Sequence, residues 1–210
     1  KRWVVNGVEF AAPLAEIIAL SKKLLHPASM AMQPTAFSHG DDHNGNKFLI
    51  DGEFITFDPA FAGRHPALLA IMKGAMHNGP LHPFWYYEPE RVIGRLKIDF
   101  NIGARIEITH NGAEILASNL REQIFALHAR HAWHPLLNEL SKRGWLWEGW
   151  QDFVRAAAFC CPFLALNMID PARRAGPGGP LLPGTLPLFN LAQCVRLFHT
   201  ASEILIPENL

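Results

Sequence analysis

Eight consecutive residues, 39–46, constrain this chain most, because their sequence His-Gly-Asp-Asp-His-Asn-Gly-Asn is too polar for an ordinary core element. Two short apolar runs follow at 47–50 and 53–57, and the dipeptide Asp51-Gly52 between them is a strong β-hairpin signal. The second run ends on Asp58. Because a hairpin returns the chain to its starting point, we expect Asp58 to face Asn46.

The order of polar residues in this segment is typical of phosphoryl transfer. That reaction needs a carboxylate that orients and deprotonates the attacking hydroxyl, and oxygen ligands that hold Mg²⁺ against the nucleotide phosphates. In protein kinases these groups appear as His-Arg-Asp, four residues, Asn and, after a short strand pair, Asp. Here the order is His39-Gly40-Asp41, four residues, Asn46 and, after the hairpin, Asp58.

The pattern His-Gly-Asp-x-His-x-x-Asn, followed by a strand pair and Asp, resembles the aminoglycoside phosphotransferase family, a branch of the protein-kinase-like fold. The likeness is clearest over residues 35–70. It implies that Asp41 is the catalytic base and that Asn46 and Asp58 bind Mg²⁺ together with ATP or GTP. It also implies that His39 belongs to the cofactor site, where it supports the loop through hydrogen bonds.

The chain departs from the family pattern in two places. Family members usually have an Asp shortly before a Leu-Ala pair, whereas this chain reads Pro-Ala-Leu-Leu-Ala over 66–70. No Gly-rich strand pair, no Val-Ala-Ile-Lys-like strand and no helix with a partner Glu precede residue 35. We therefore expect the large, C-terminal lobe of a kinase-like protein, as a fragment or an excised domain, without its small lobe. A catalytically incomplete lobe that acts as a binding or interaction module is the alternative.

The wider pattern predicts an α+β fold, mainly helical, with short β-hairpins around the catalytic loop. We expect a single domain over 1–210, with the catalytic and metal segment at 35–70 and a helical acceptor-binding region at 71–210. The predicted hairpins turn at Asn6-Gly7 and Asp51-Gly52, and a further one pairs Leu96, Ile98 and Phe100 with Ile106 and Ile108. Helices are predicted over 13–25, 66–77, 113–143 with a break at His134-Pro135, 145–166 and 188–205, with a Pro- and Gly-rich loop over 171–187.

Composition excludes several classes of protein. Apolar residues make up 49% and charged residues 18%, a globular balance. Lys plus Arg equals Asp plus Glu at 19 each, so we expect no nucleic-acid partner. No apolar run reaches the roughly 20 residues that span a bilayer, so no membrane partner is expected. The three cysteines have no paired spacing, which suits a reducing, cytoplasmic location.

The acceptor is expected to be a hydroxylated small molecule, and the oligomeric state stays open. Acidic and basic residues are nearly balanced from residue 71 onward, whereas a polycationic aminoglycoside would favour an acidic excess. The same region is rich in Trp, Phe and His. A neutral or weakly charged acceptor is therefore favoured, and a quaternary amine held by cation–π contacts stays open.

Other motifs have less specific signals. A zinc hydrolase is a rival chemistry, because four residues of the loop are possible zinc ligands: His39, Asp41, Asp42 and His43. A β-lactamase-like pattern, however, needs His at two positions where this chain has Phe37 and Asp42.

Three histidines recur near one face of a predicted helix, at His128, His131 and His134. This spacing is more often met in structural histidines than in a zinc trio. Asp99-Phe100 is expected to be strand, and the Gly-Pro-Gly-Gly-Pro run at 176–180 lacks the Lys-Ser/Thr of a P-loop.

Overall fold

The structure, a computed structural model, describes residues 2–59, 61–78, 98–102, 105–110, 119–165 and 185–205. Within them the chain is mixed α and β, with more helix than strand. The strands are β1 (Trp3–Val5), β2 (Val8–Phe10), β3 (Thr35–Ser38), β4 (Lys47–Ile50), β5 (Glu53–Thr56), β6 (Gly63–Pro66), β7 (Ile98–Ile102) and β8 (Ile106–His110). The helices are α1 (Leu14–Leu24), α2 (Pro27–Met30), α3 (Ala67–Asn78), α4 (Asn119–His128), α5 (His134–Lys142), α6 (Trp150–Ala165) and α7 (Thr185–Leu205).

The largest sheet has four strands in the order β2-β1-β8-β7. Strands β1 and β2 form the predicted hairpin, and its turn residues Asn6 (φ 50°) and Gly7 (φ 83°) are both left-handed, as a type I′ turn requires. The predicted hairpin of β7 and β8 is also present, with Phe100 opposite Ile108. Strand β1 pairs in parallel with β8, which joins the N-terminus of the chain to a segment about a hundred residues later.

Two two-stranded sheets flank the polar loop. Strands β4 and β5 pair around the turn at Asp51 (φ 52°) and Gly52 (φ 85°), which confirms the predicted hairpin. Strand β3, which leads into the loop, pairs with β6 so that Thr35 lies opposite Pro66. The amide of Ala67 then donates to the Pro34 carbonyl at 2.8 Å, so α3 begins beside the start of β3. Strand β6 was not predicted.

Helix α6 lies at the centre of the fold, because both hydrophobic clusters include it. Its first half contributes Phe153, which is fully buried, to a cluster with α3, α5 and α7. Its second half contributes Phe159, also fully buried, to a cluster with α1, α7 and the four-stranded sheet.

Most predicted helices are confirmed, with corrections at their ends. The predicted break near His134-Pro135 is a π-helical turn over Ala129–Trp133, directly before the proline that removes a helical amide donor. The last helix begins at Thr185, so the loop prediction was wrong for 185–187. Pro187 is tolerated there because a first-turn amide needs no partner inside the helix. Three predicted segments lie outside the described residues: Leu96, residues 113–118 and the Pro- and Gly-rich segment up to 184.

A search for transmembrane segments among the described helices found none with both the length and the apolarity to cross a bilayer.

Replacing Phe153 by Ala should lower the free energy of unfolding by about 3–5 kcal/mol, because the ring is fully buried and its loss leaves a cavity. The control Phe54→Ala removes a ring that is 75% exposed and should change stability by no more than about 0.5 kcal/mol. Urea denaturation measures both values. Equal losses in the two variants would contradict the assignment of α6 as the centre of the core.

Candidate active site

The main chain of Phe57 joins the two halves of the polar segment. Its N–H donates to the Asn46 carbonyl at 3.1 Å, and its carbonyl accepts a hydrogen bond from His39 Nε2 at 2.7 Å. Because a carbonyl can only accept, the imidazole of His39 has its proton on Nε2. The next residue, Asp58, therefore begins beside Asn46 and His39. We call this pair of hydrogen bonds the Phe57 clamp.

Asn46 is held inside the loop and is 6% exposed. Its Nδ2 donates to the Asp41 carbonyl at 3.0 Å, and its backbone N–H donates to the His43 carbonyl at 3.0 Å. The first bond fixes the orientation of the side-chain amide, since only the nitrogen can donate. Oδ1 is then the atom of Asn46 that is suited to bind a cation.

Asp58 is exposed and has a left-handed backbone, with φ at 57°. This conformation is uncommon outside glycine, although Asp tolerates it better than most residues. It lies two residues after β5, where the hairpin ends. Backbone strain of this kind is found more often at functional sites than elsewhere. A carboxylate oxygen and an amide oxygen, which Asp58 and Asn46 carry, are the types of ligand that Mg²⁺ prefers.

Asp41 has its two carboxylate oxygens in different environments. Oδ1 has less than 1 Å² of accessible surface and contacts the ammonium group of Lys73, on α3. Oδ2 lies 3.7 Å from Nε2 of His43, whose Nδ1 accepts the Gly45 N–H at 3.0 Å. The neutral imidazole of His43 therefore has its proton on the nitrogen that faces Oδ2.

Asp42, the second carboxylate of the loop, lies among different groups. Its Oδ1 is 2.8 Å from the ammonium group of Lys47, on β4. Gly74 of α3 leaves the space in which Asp42 and His128 of α4 meet: a Cβ at this position would lie 3.0 Å from His128 Nε2 and 3.4 Å from Asp42 Oδ2. Burial and the nearby Lys47 lower the pKa of His128, against the opposite effect of Asp42, so the ring is neutral at pH 7.

Helix α6 contributes two adjacent cysteines, Cys160 and Cys161. Burial raises the pKa of the Cys161 thiol to about 12, with Lys73 lowering it and Asp41 raising it. The thiol is therefore neutral at physiological pH. Burial also raises the pKa of Cys160, and the nearby Ser21 side chain has a smaller effect in the opposite direction. All three cysteines are free thiols.

The structure joins the predicted residues His39 and Asn46 through the Phe57 clamp, and Asn46 donates a hydrogen bond to the Asp41 carbonyl. Asp58 is the next residue along the chain after the clamp. No group of three or more His, Cys, Asp or Glu side chains among the described residues could hold a metal ion. The zinc alternatives at the loop and at His128, His131 and His134 therefore have no support within that part of the chain.

Sequence reasoning missed Lys73, Lys47, His128 and Cys161 as neighbours of the loop. The helical pattern over 66–77 contains one lysine, and that lysine was the available signal. Its partner could not be read from the pattern, because pairing depends on how α3 packs against β3.

Comparisons with known proteins identify no family. No protein-family model matches the chain, and neither a curated protein nor a solved structure matches it.

Replacing Gly40 by Ala should destabilise the protein more than the same change at Gly52. Both glycines are left-handed, with φ at 81° and 85°, so each substitution has a backbone penalty of about 1–2 kcal/mol. A Cβ at Gly40 would also overlap the carbonyl oxygen of Phe61, whereas a Cβ at Gly52 meets nothing within 4 Å. We expect an extra loss of at least about 1 kcal/mol at Gly40 from that overlap, measured by thermal or urea unfolding. Equal losses would mean that the loop does not pack on Phe61.

Proposed function

We propose that this protein is a small-molecule phosphotransferase that uses Mg²⁺ to transfer the γ-phosphoryl group of ATP or GTP to a hydroxyl group. The observation that supports this function best is the Phe57 clamp, which holds Asp58 beside Asn46 and next to the loop of Asp41. Phosphoryl transfer relies on this kind of positioning and on electrostatic stabilisation more than on covalent chemistry by the protein. The proposed fold is the large lobe of a protein-kinase-like protein.

Each residue has a separate role in the proposal. Asp41 accepts or orients the proton of the acceptor hydroxyl, and His39 fixes the loop through Phe57. Asn46 Oδ1 and the Asp58 carboxylate would hold Mg²⁺, which, when bound, neutralises charge on the nucleotide phosphates. The buried amide of Asn46 and the exposed carboxylate of Asp58 fit that role, because the amide nitrogen is already used in a hydrogen bond to Asp41.

The surroundings of the loop support a neutral or weakly charged acceptor. Asp41 and Asp42 are each in contact with a lysine, Lys73 and Lys47 respectively. Burial also favours the neutral forms of His128 and Cys161. A polycationic aminoglycoside needs carboxylates that are not already paired with cations. Asp41 and Asp42 are each paired with a lysine. A hydroxylated metabolite without multiple positive charges is the better match.

A second candidate function is that of an interaction module, and the exposed apolar side chains of the β4–β5 hairpin favour it. Phe48, Leu49, Ile50, Phe54 and Ile55 are 46–75% exposed, although an isolated hairpin normally packs one apolar face on a core. Exposed apolar patches of this kind commonly mark a surface that another protein or lobe covers. A cytoplasmic location, which we propose from the free thiols, is compatible with both candidates.

Replacing Asp41 by Asn should lower turnover of Mg·ATP or Mg·GTP with the best acceptor from a panel of hydroxylated metabolites by about 10²–10⁴-fold, because the base is lost. The matched control is Asp51→Asn, which makes the same chemical change at an exposed turn away from the loop and should leave turnover unchanged. Turnover that survives in Asp41→Asn would remove Asp41 from the mechanism.

Replacing Asp58 by Asn should abolish the part of the nucleotide-induced thermal shift that requires Mg²⁺, because one oxygen ligand loses its charge. The measurement compares unfolding with ATP alone and with ATP plus Mg²⁺, again with Asp51→Asn as the control. An unchanged magnesium-dependent shift would place the metal elsewhere. A wild-type protein with neither shift nor turnover would favour the interaction module.

A further inference from the structure

We propose that Lys73 is a positioning residue for the proposed phosphoryl transfer: it holds Oδ1 of Asp41, so that Oδ2 is the atom that receives the proton of the acceptor hydroxyl. This inference rests on the proposed function and deepens it. The sequence pattern that resembles known phosphotransferases includes no such lysine.

The two oxygens of Asp41 differ in access. Oδ1 is buried and in contact with the Lys73 ammonium group, so an acceptor hydroxyl has no path to it. The carboxylate side chain as a whole is still 20% exposed. Oδ1 contributes almost nothing to that exposure, which lies on the other atoms of the side chain. Of the two carboxylate oxygens, a substrate hydroxyl can therefore approach only Oδ2.

The position of Lys73 is set by an anchored helix. Helix α3 is tied to β3 by the hydrogen bond from Ala67 N–H to the Pro34 carbonyl, at 2.8 Å. Its buried residues Leu68, Met72 and Met76 pack into the core on both sides of Lys73 in the sequence. Strand β3 leads directly to the loop of Asp41. The ammonium group and the carboxylate are thus attached to two elements that are fixed to each other.

Two further features act on the same carboxylate. Nε2 of His43 lies 3.7 Å from Oδ2, longer than a hydrogen bond, so it leaves that oxygen to a bound hydroxyl. Because Oδ1 is buried, its attraction to the Lys73 ammonium group is stronger than that between exposed ions.

The proposed step balances without an additional reactant. The acceptor hydroxyl oxygen forms a bond to the γ-phosphorus while the bond between that phosphorus and the β,γ-bridging oxygen breaks, and its electrons go to the nucleoside diphosphate. The hydroxyl proton moves to Oδ2 of Asp41. Lys73 keeps its own proton throughout and stabilises the carboxylate form, from which the reaction begins.

The test uses the full chain with Lys73→Met, which keeps the length of the side chain and removes its charge, and Lys73→Arg, which keeps the charge. The matched control is Lys142→Met, at the exposed end of α5. One readout is the ¹³C NMR titration of the Asp41 carboxyl, which does not depend on activity. The other is turnover of Mg·ATP against pH, with kcat and KM determined separately.

We expect Lys73→Met to raise the midpoint of the Asp41 titration by about one pH unit or more, because the carboxylate loses the cation that contacts Oδ1. We expect kcat to fall by up to about 10²-fold, with KM for Mg·ATP within about twofold of the wild type. The acidic limb of the kcat profile should move to higher pH by the same amount. Lys73→Arg should restore most of kcat, and Lys142→Met should match the wild type.

Each contrary outcome has a distinct meaning. An unchanged midpoint in Lys73→Met, with turnover still lost in Asp41→Asn, would overturn the role of Lys73 and leave the proposed phosphotransferase intact. A raised midpoint with unchanged kcat would also overturn it, because the ion pair would then only stabilise the loop. A wild type without turnover on any acceptor would overturn both proposals together.

Discussion

The two hydrogen bonds of the Phe57 main chain are the constraint on which the candidate site depends. They connect the start of the polar loop, at His39, with its end, at Asn46, and they do so at the residue before Asp58. Main-chain groups of Phe57 can make these bonds whatever its side chain is. The bond to Asn46 continues the register of the β4–β5 hairpin, and the bond from the His39 side chain adds the start of the loop. Without it, the loop and the hairpin would be two separate local structures, and the acidic residue after the hairpin would have no defined position relative to Asn46.

Three departures from ordinary local structure lie around this clamp. Asp58 has a left-handed backbone, Gly40 is left-handed under the carbonyl of Phe61, and Oδ1 of Asp41 is buried in an ion pair. Natural sequences usually agree with their folds at the local level, and exceptions tend to mark sites where function imposes a requirement. These exceptions lie in 40–61, outside the well-packed core around α6, and they are the structural reason for proposing a functional site there.

The charges of the loop are balanced by residues from elsewhere in the fold. Asp41 is paired through α3 and Asp42 through β4, while burial keeps His128 and Cys161 neutral. Adjacent carboxylates repel each other, so each needs its own cation if both are to remain ionised in a partly buried loop. For the proposed phosphotransferase, this arrangement favours acceptors that do not have several positive charges. It also means that α3 contributes to the candidate site as well as to the core.

Local pattern alone determined the two hairpins at Asn6-Gly7 and Asp51-Gly52, the helices α1 and α3, and the order of Asp41, Asn46 and Asp58. Left-handed turn residues, helical periodicity and spacing are all properties of neighbouring residues, and neighbours can be read from a sequence. The tertiary structure decided which distant segments meet: β1 beside β8, β3 beside β6, and Lys73 against Asp41. These contacts depend on how the apolar faces of the helices and sheets pack in three dimensions, and no short window of sequence contains that information.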